Sequence, residues 1–258
     1  MDIFQAVFLG AVQGSAEFLP ISSSGHLVII PWIFGWGDSG LIFDVALHIG
    51  TLFSIVLYFW KDWLDILKNY RKPLLWLIAL GCIPAVVVGY KFEDYFDTVF
   101  RSPAVVGMAM VAMAGLLWMA EAASKKTRDI GQIGIRDVLF IGFMQALALV
   151  PGVSRSGITM TAGLMTGLKR QAAAKFSFLL AAPITLGAGI YKLRYLFSGG
   201  LERSEAAGFA AGVVVSAAVG FLAIKFLLKY LQNHTFYVFV WYRLAFGALI
   251  FAVILLRG

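Results

Sequence analysis

The sequence predicts an all-α polytopic membrane protein, with six transmembrane helices and two broken helix hairpins that enter the bilayer and return. Three observations predict it. Of 258 residues, 60% are hydrophobic and only 14% charged, against roughly 25% charged in an ordinary soluble domain. Mean hydropathy is +0.86. Apolar runs near the length of a membrane span recur along the chain, matching a hydrocarbon core about 30 Å thick. This composition argues against a water-soluble enzyme, a disordered chain and a secreted disulfide scaffold. The single cysteine, Cys82, can form no internal disulfide. The N-terminus does not read as a signal peptide: Met1-Asp2 brings no basic segment, and Gln13 and Glu17 interrupt the apolar stretch.

Six segments are long enough to cross: about 41–60, 73–90, 103–122, 172–192, 206–228 and 236–256. The connecting segments sort by charge. One set carries Lys61, Lys68, Arg71, Lys72, Lys125, Lys126, Arg128, Arg136, Lys169, Arg170, Lys175, Lys225 and Lys229, thirteen of the 21 basic residues. The opposite set carries six, together with the acids Glu93, Asp94, Asp97, Glu202 and Glu205. An excess of Lys and Arg marks cytoplasmic loops, so the first set is read as cytoplasmic and both termini as outside. The net charge of +7 is therefore a topology signal, and no nucleic-acid partner is expected.

Two apolar regions do not behave as spans. Residues 2–36 are broken near 19–25 by Pro20 and Ser22-Ser23-Ser24-Gly25, and residues 138–168 near 151–157 by Pro151-Gly152 and Ser154-Arg155-Ser156-Gly157. The charge pattern requires each to leave on the side it entered, which makes them re-entrant hairpins. Irregular backbone at that depth must be covered by protein or line a wet cavity. The regions also resemble each other. Phe8, Gly10, Gln13 and Ala16 match Phe140, Gly142, Gln145 and Ala148 at an offset of 132, Pro20 matches Pro151 after a slip of one, and Ser22, Ser24 and Gly25 match Ser154, Ser156 and Gly157. Phe43 and Leu47 match Phe176 and Leu180 in the following span. The chain thus reads as one integral membrane domain, 1–258, with halves at about 1–122 and 136–258 of opposite orientation. Interrupted segments at matching places in two halves point to a binding site near the midplane.

Glu17, His26 and Arg155 lie inside these apolar segments. A charged side chain at the bilayer centre costs at least about 2.5–3.5 kcal/mol, so it pairs or lines a wet cavity. Gln13 and Glu17, four apart, share a helix face. If the hairpin tips meet, an acid, an imidazole, a guanidinium and the hydroxyls of Ser22, Ser23, Ser24, Ser154, Ser156 and Thr159 converge. That set suits phosphoryl transfer. Arg155 can grip phosphate oxygens in pairs, the Gly25 and Gly152 turns feed helix N-termini that favour anions, and His26 can serve as acid, base or nucleophile. Glu17 can accept a proton or hold a hard cation. His48, one turn after Asp44, reads as a structural pair, and Arg243 as a residue that snorkels or pairs.

Two stretches carry a family resemblance over essentially the whole chain: Gln13-Gly14-Ser15-Ala16-Glu17-Phe18-Leu19-Pro20-Ile21-Ser22-Ser23-Ser24-Gly25-His26 and Pro151-Gly152-Val153-Ser154-Arg155-Ser156-Gly157-Ile158-Thr159. They resemble the (Glu/Gln)-x-x-x-Glu motif with its Ser-rich turn and His, and the Pro-Gly-x-Ser-Arg-Ser-x-x-Thr motif, of the undecaprenyl-diphosphate phosphatase family, the bacitracin-resistance type. The resemblance implies hydrolysis of undecaprenyl diphosphate to undecaprenyl phosphate and inorganic phosphate. The reaction is expected at the outer face of the bacterial inner membrane, where it recycles the carrier lipid for peptidoglycan assembly. It makes Glu17, His26 and Arg155 essential and Ser23 a nucleophile or its partner, and it implies a divalent cation, Mg²⁺ or Ca²⁺. Gln13 stands where many members have Glu, which leaves Glu17 as the one carboxylate for such a metal.

His26, Ser23 and water all remain open as the attacking group. The expected partners are an isoprenoid diphosphate lipid and the bilayer, and the chain is compatible with a homo-oligomer. A lipid-phosphate flippase is the alternative reading, because inverted repeats with broken helices also build transporters. Type 2 phosphatidic acid phosphatases share Ser24-Gly25-His26 and Ser154-Arg155 elements, but Thr161 stands where their second histidine is expected.

Overall fold

The structure is a computed structural model that describes residues 2–37, 40–199 and 203–257, without side chains at 41, 93–99, 193–199 and 203–205. The expected loop acids Glu93, Asp94, Asp97 and Glu205 therefore have undescribed side chains, and Glu202 lies outside the described residues. Among the described residues the chain is helical throughout: α1 (Ile3–Phe18), α2 (Ser23–Phe34), α3 (Leu41–Tyr58), α4 (Trp60–Lys68), α5 (Pro73–Val99), α6 (Pro103–Ala123), α7 (Ile135–Ala146), α8 (Arg155–Met165), α9 (Arg170–Gly199), α10 (Arg203–Tyr230) and α11 (Tyr237–Arg257). The all-α expectation holds.

Five stretches are long and apolar enough to cross a membrane: Pro73–Phe92, Pro103–Ala123, Arg170–Lys192, Ala206–Tyr230 and Tyr237–Arg257. This is a multi-pass membrane protein. The expected straight span at 41–60 differs. Its helix ends at Tyr58 and bends by 70° into α4, so the two count as a sixth span only together. The reason is compositional: α4 begins Trp60-Lys61-Asp62, too polar to continue through hydrocarbon. Lys175 on α9 holds α4 through Asp62, Nζ to Oδ1 2.5 Å.

The two anticipated breaks are where helices end. α1 stops at Phe18 and α2 starts at Ser23. α7 stops at Ala146, a 3₁₀ turn covers Leu147–Leu149, and α8 starts at Arg155. The helices pack in recurring pairs. α1 runs along α10 and α7 along α5, while α3 meets α9 and α6 meets α11. The helices approach closely because small residues face each other. A Cβ on Gly10 would lie 2.6 Å from the Gly212 carbonyl oxygen, and one on Gly142 would lie 2.7 Å from that of Gly81. In lipid, where apolar side chains gain little by leaving the solvent, such backbone proximity is the main source of helix association. Ser54 and Ser216 add hydroxyl bonds between α3 and α10, to the carbonyls of Ala217 at 2.7 Å and Leu47 at 2.9 Å. The α1–α10 contact holds the helix that carries Glu17.

Gly10→Val is expected to force α1 away from α10 and cost about 1–3 kcal/mol, the usual range for overpacking. A fall in detergent Tm would show it; an unchanged Tm would mean the helices do not rely on this approach.

Candidate active site

The two tips are built alike. Ser22 and Ser154 precede α2 and α8 with φ of 74° and 75°. A non-glycine residue in the left-handed region costs of order 1–3 kcal/mol and persists only where its surroundings compensate. Here each serine caps its own helix: the Gly25 amide donates to Ser22 Oγ at 3.3 Å and the Gly157 amide to Ser154 Oγ at 3.0 Å. The serine two residues on in each turn, Ser24 or Ser156, lies 3.4 or 3.2 Å from the capping hydroxyl.

The tips touch. A Cβ on Gly25 would sit 3.3 Å from Gly152 Cα, and one on Gly152, with φ +97°, would strike the Val106 carbonyl oxygen at 2.7 Å. Ser156 Oγ crosses to the Leu19 carbonyl at 3.2 Å. The deepest link is Arg243 of α11, fully buried. Its guanidinium donates to the carbonyls of Pro20 (2.9 Å), Gly152 (2.6 Å), Val153 (3.0 Å) and Met110 (3.3 Å). Arg243 neither snorkels nor, among the described residues, pairs with an acid. Burying its charge costs several kcal/mol, and four charge-assisted hydrogen bonds at about 1.5–3 kcal/mol each offset that.

With the tips in place, the first residue of each short helix faces Glu17. Ser23, opening α2, donates its hydroxyl to Glu17 Oε2 at 2.6 Å. Arg155, opening α8, forms an ion pair with Oε1. Gln13 Nε2 donates to Oε2 at 3.1 Å, as the shared helix face predicts. Glu17 and Ser23 are buried, and the Arg155 side chain keeps 19% exposure. A buried carboxylate, a hydroxyl on one of its oxygens and a guanidinium on the other can deprotonate an alcohol beside an anion grip. Helix geometry also leaves the first amides of α2 and α8 without intrahelical acceptors.

Two members of this cluster were not among the expected site residues. Thr185, midway along α9, accepts from Arg155 Nη1 at 2.7 Å. His48 places Nε2 3.5 Å from Glu17 Oε2 while Nδ1 donates to the Asp44 backbone carbonyl at 2.7 Å. The Asp44 carboxylate instead pairs with Arg101 at 3.4 Å. A threonine or histidine in a long span has no local signal of what it will face. Only the spacing of His48 from Asp44 was visible, and it pointed to the wrong oxygen.

Other residues expected to line the pocket take different places. His26 does not meet Glu17 or Arg155 within ion-pair distance. Its Nδ1 donates to the Ser22 carbonyl at 2.7 Å, its Nε2 lies 2.6 Å from the Tyr242 hydroxyl, and its ring stacks on Phe246 with centroids 4.3 Å apart. Thr159 turns toward α9, with Oγ1 2.6 Å from Ser177 Oγ and 2.7 Å from the Arg155 carbonyl it donates to. Ser22, Ser154, Gly25 and Gly152 shape and pack the turns, and the amides of Gly25 and Gly157 are already capped. Ser24 is half-buried.

A multi-pass helical membrane protein with two broken tips meeting around a Ser–Glu–Arg cluster is the class these features define. The family model described as "Bacitracin resistance protein BacA" matches residues 6–249. The chain is 47% identical over 254 residues to an undecaprenyl-diphosphatase of Pelotomaculum thermopropionicum, covering 96% of this chain and 95% of that protein. It is 47% identical over 264 residues to the protein of that name in Moorella thermoacetica, and 44% over 265 residues to that in Desulforudis audaxviator, each over the full length of both chains. The chain belongs to the bacitracin resistance protein BacA family.

Thr185→Val leaves a half-buried guanidinium N–H without its acceptor, a loss of up to about 1–3 kcal/mol. The expected result is a lower detergent Tm; no change would show that Arg155 does not lean on α9.

Proposed function

We propose that this protein is an undecaprenyl-diphosphatase, hydrolysing undecaprenyl diphosphate to undecaprenyl phosphate and inorganic phosphate. The reading is supported by the family and by relatives of that name along the whole chain. The observation that carries the mechanism is the 2.6 Å hydrogen bond from Ser23 to Glu17, with Arg155 on the same carboxylate. The arrangement supplies a nucleophile, its base and a phosphate grip in one buried cluster. A flippase needs the grip but not the other two.

Arg155 exchanges Glu17 for the phosphate oxygens of the substrate. Ser23 Oγ attacks the terminal phosphorus while its proton passes to Glu17. The bridging P–O bond breaks, and its electron pair leaves on undecaprenyl phosphate. Water then attacks the phosphoseryl phosphorus, the bond to Ser23 breaks, a proton from that water returns to the serine oxygen, and phosphate departs. Glu17 releases its proton to solvent. His26, with both ring nitrogens engaged elsewhere, is a support of the Ser22 turn in this mechanism and not the attacking group.

A hard divalent cation fits the same place. Gln13 Oε1 is buried without a hydrogen-bond partner, and an amide oxygen beside a carboxylate is the donor set that Mg²⁺ or Ca²⁺ prefers. Gln13 and Glu17 would hold it. No group of three or more His, Cys, Asp or Glu side chains that could hold a metal ion occurs among the described residues, so Gln13 and Glu17 would be the protein's share of its ligands. When bound, the cation would supply charge neutralisation on the diphosphate.

The finer topology belongs to the same proposal. α1–α2 and α7–α8 are re-entrant hairpins of two oppositely oriented halves, both termini lie outside, and the cluster opens to the outer face of the bacterial inner membrane. The charge pattern of the loops and the corresponding packing of α1 on α10 and α7 on α5 support it.

Purified protein in detergent, where transport is impossible, is expected to release phosphate from C55 diphosphate. Rapid acid quench is expected to trap phosphate on Ser23. Ser23→Ala and Arg155→Ala are expected to lose at least about 10²–10³-fold in kcat, the scale of removing one positioned catalytic group. Absent phosphate release, with lipid movement in vesicles, would turn the assignment to a flippase.

A further inference from the structure

The residues named above leave α11 without a role in the reaction, yet two consecutive side chains of that helix reach both hairpin tips. Arg243 bonds the carbonyls of Pro20 on one tip and of Gly152 and Val153 on the other. Tyr242 reaches the first tip through a second path. Its hydroxyl lies 2.6 Å from His26 Nε2, and His26 Nδ1 lies 2.7 Å from the Ser22 carbonyl. A carbonyl only accepts, so Nδ1 carries the hydrogen; in the neutral ring Nε2 is then the acceptor and the tyrosine hydroxyl donates. Phe246, one turn on, stacks on the same imidazole and fixes its plane.

The carbonyls held are those next to the reacting groups. Ser22 precedes Ser23, and Val153 lies two residues before Arg155. From these contacts we infer that Tyr242 and Arg243 are positioning residues: α11 is a clasp that sets the separation of Ser23 and Glu17 on one tip from Arg155 on the other. Tyr242 acts through His26, and Arg243 acts directly on both turns. Neither needs to touch the diphosphate. The inference rests on the phosphatase reading above, and it gives His26 its function within it.

The geometry separates this role from simple structural support. Tyr242 is 40% exposed, and its ring stacks on His26 and Phe246 with centroids 5.7 and 6.0 Å away. Removing that one atom in Tyr242→Phe leaves the ring on Phe246 and the helix packing intact. What changes is the orientation of His26 and, through it, the Ser22–Ser23 turn. Misplacing a reacting group by about 1 Å can cost 10²-fold in rate.

The test is a kinetic double-mutant cycle on the full-length protein in detergent with C55 diphosphate. Tyr242→Phe is expected to lower kcat about 10-fold, with KM changed less than about 3-fold and Tm unchanged. Combined with His26→Gln, it is expected to cause no further loss, because its effect runs through the imidazole. Arg243→Lys, which retains charge but not the fork of donors, is expected to lower kcat at least about 10-fold in the folded fraction. A Tyr242→Phe protein with normal kcat, or losses that multiply in the double variant, overturns the clasp. So does an Arg243→Lys protein with normal kcat; if that variant does not fold, the Tyr242 cycle decides alone. A parent protein that releases no phosphate would instead sink the phosphatase reading, so the two failures are distinguishable.

Discussion

A helix interrupted in the buried centre of a protein frees backbone N–H and C=O groups that must find other partners, and everything at the centre of this protein answers that constraint. The freed amides of α2 and α8 are taken by the hydroxyls of Ser22 and Ser154. The freed carbonyls of Pro20, Gly152 and Val153 are taken by Arg243, and that of Ser22 by His26. Because one guanidinium serves carbonyls of both turns, satisfying the backbone and bringing the turns together are a single event.

The meeting of the tips then makes the chemistry. Two similar turns, each a serine at positive φ capping a short helix, present different first residues: Ser23 on α2 and Arg155 on α8. Both point at Glu17, which arrives on the end of α1. Glu17 is buried, and an unpaired buried charge is costly, so the carboxylate depends on partners from both tips. The ion pair with Arg155 offsets part of the cost of burying that carboxylate. It also uses the group that a diphosphate would claim, so substrate and carboxylate compete for one guanidinium.

Much of this was legible in the chain. Hydropathy located five apolar spans to within a few residues, because a span is set by length and composition alone. The breaks at Pro20 and Pro151 were visible because their causes are local. The pairing of Gln13 with Glu17 followed from a four-residue spacing on one helix. The bend after Tyr58 was hidden, because the apolar run continues to Trp60 while the polar face that turns α4 aside comes after it.

What the sequence determined by itself, then, were features whose causes lie within one or two turns of the chain: span length, helix breaks and same-face neighbours. Which side chain would face which across the bundle was decided only by the tertiary structure. Arg243 reads like any arginine near a helix end, and it became the buried link between tips because α11 passes behind both. His26 reads like an active-site base, and the same helix drew it away toward Tyr242. Thr185 and His48 joined the cluster because α9 and α3 cross beside it. Distances between residues more than a hundred positions apart depend on how closely glycines such as Gly10 and Gly142 let the helices pack. That is a property of surfaces meeting, and no local pattern carries it.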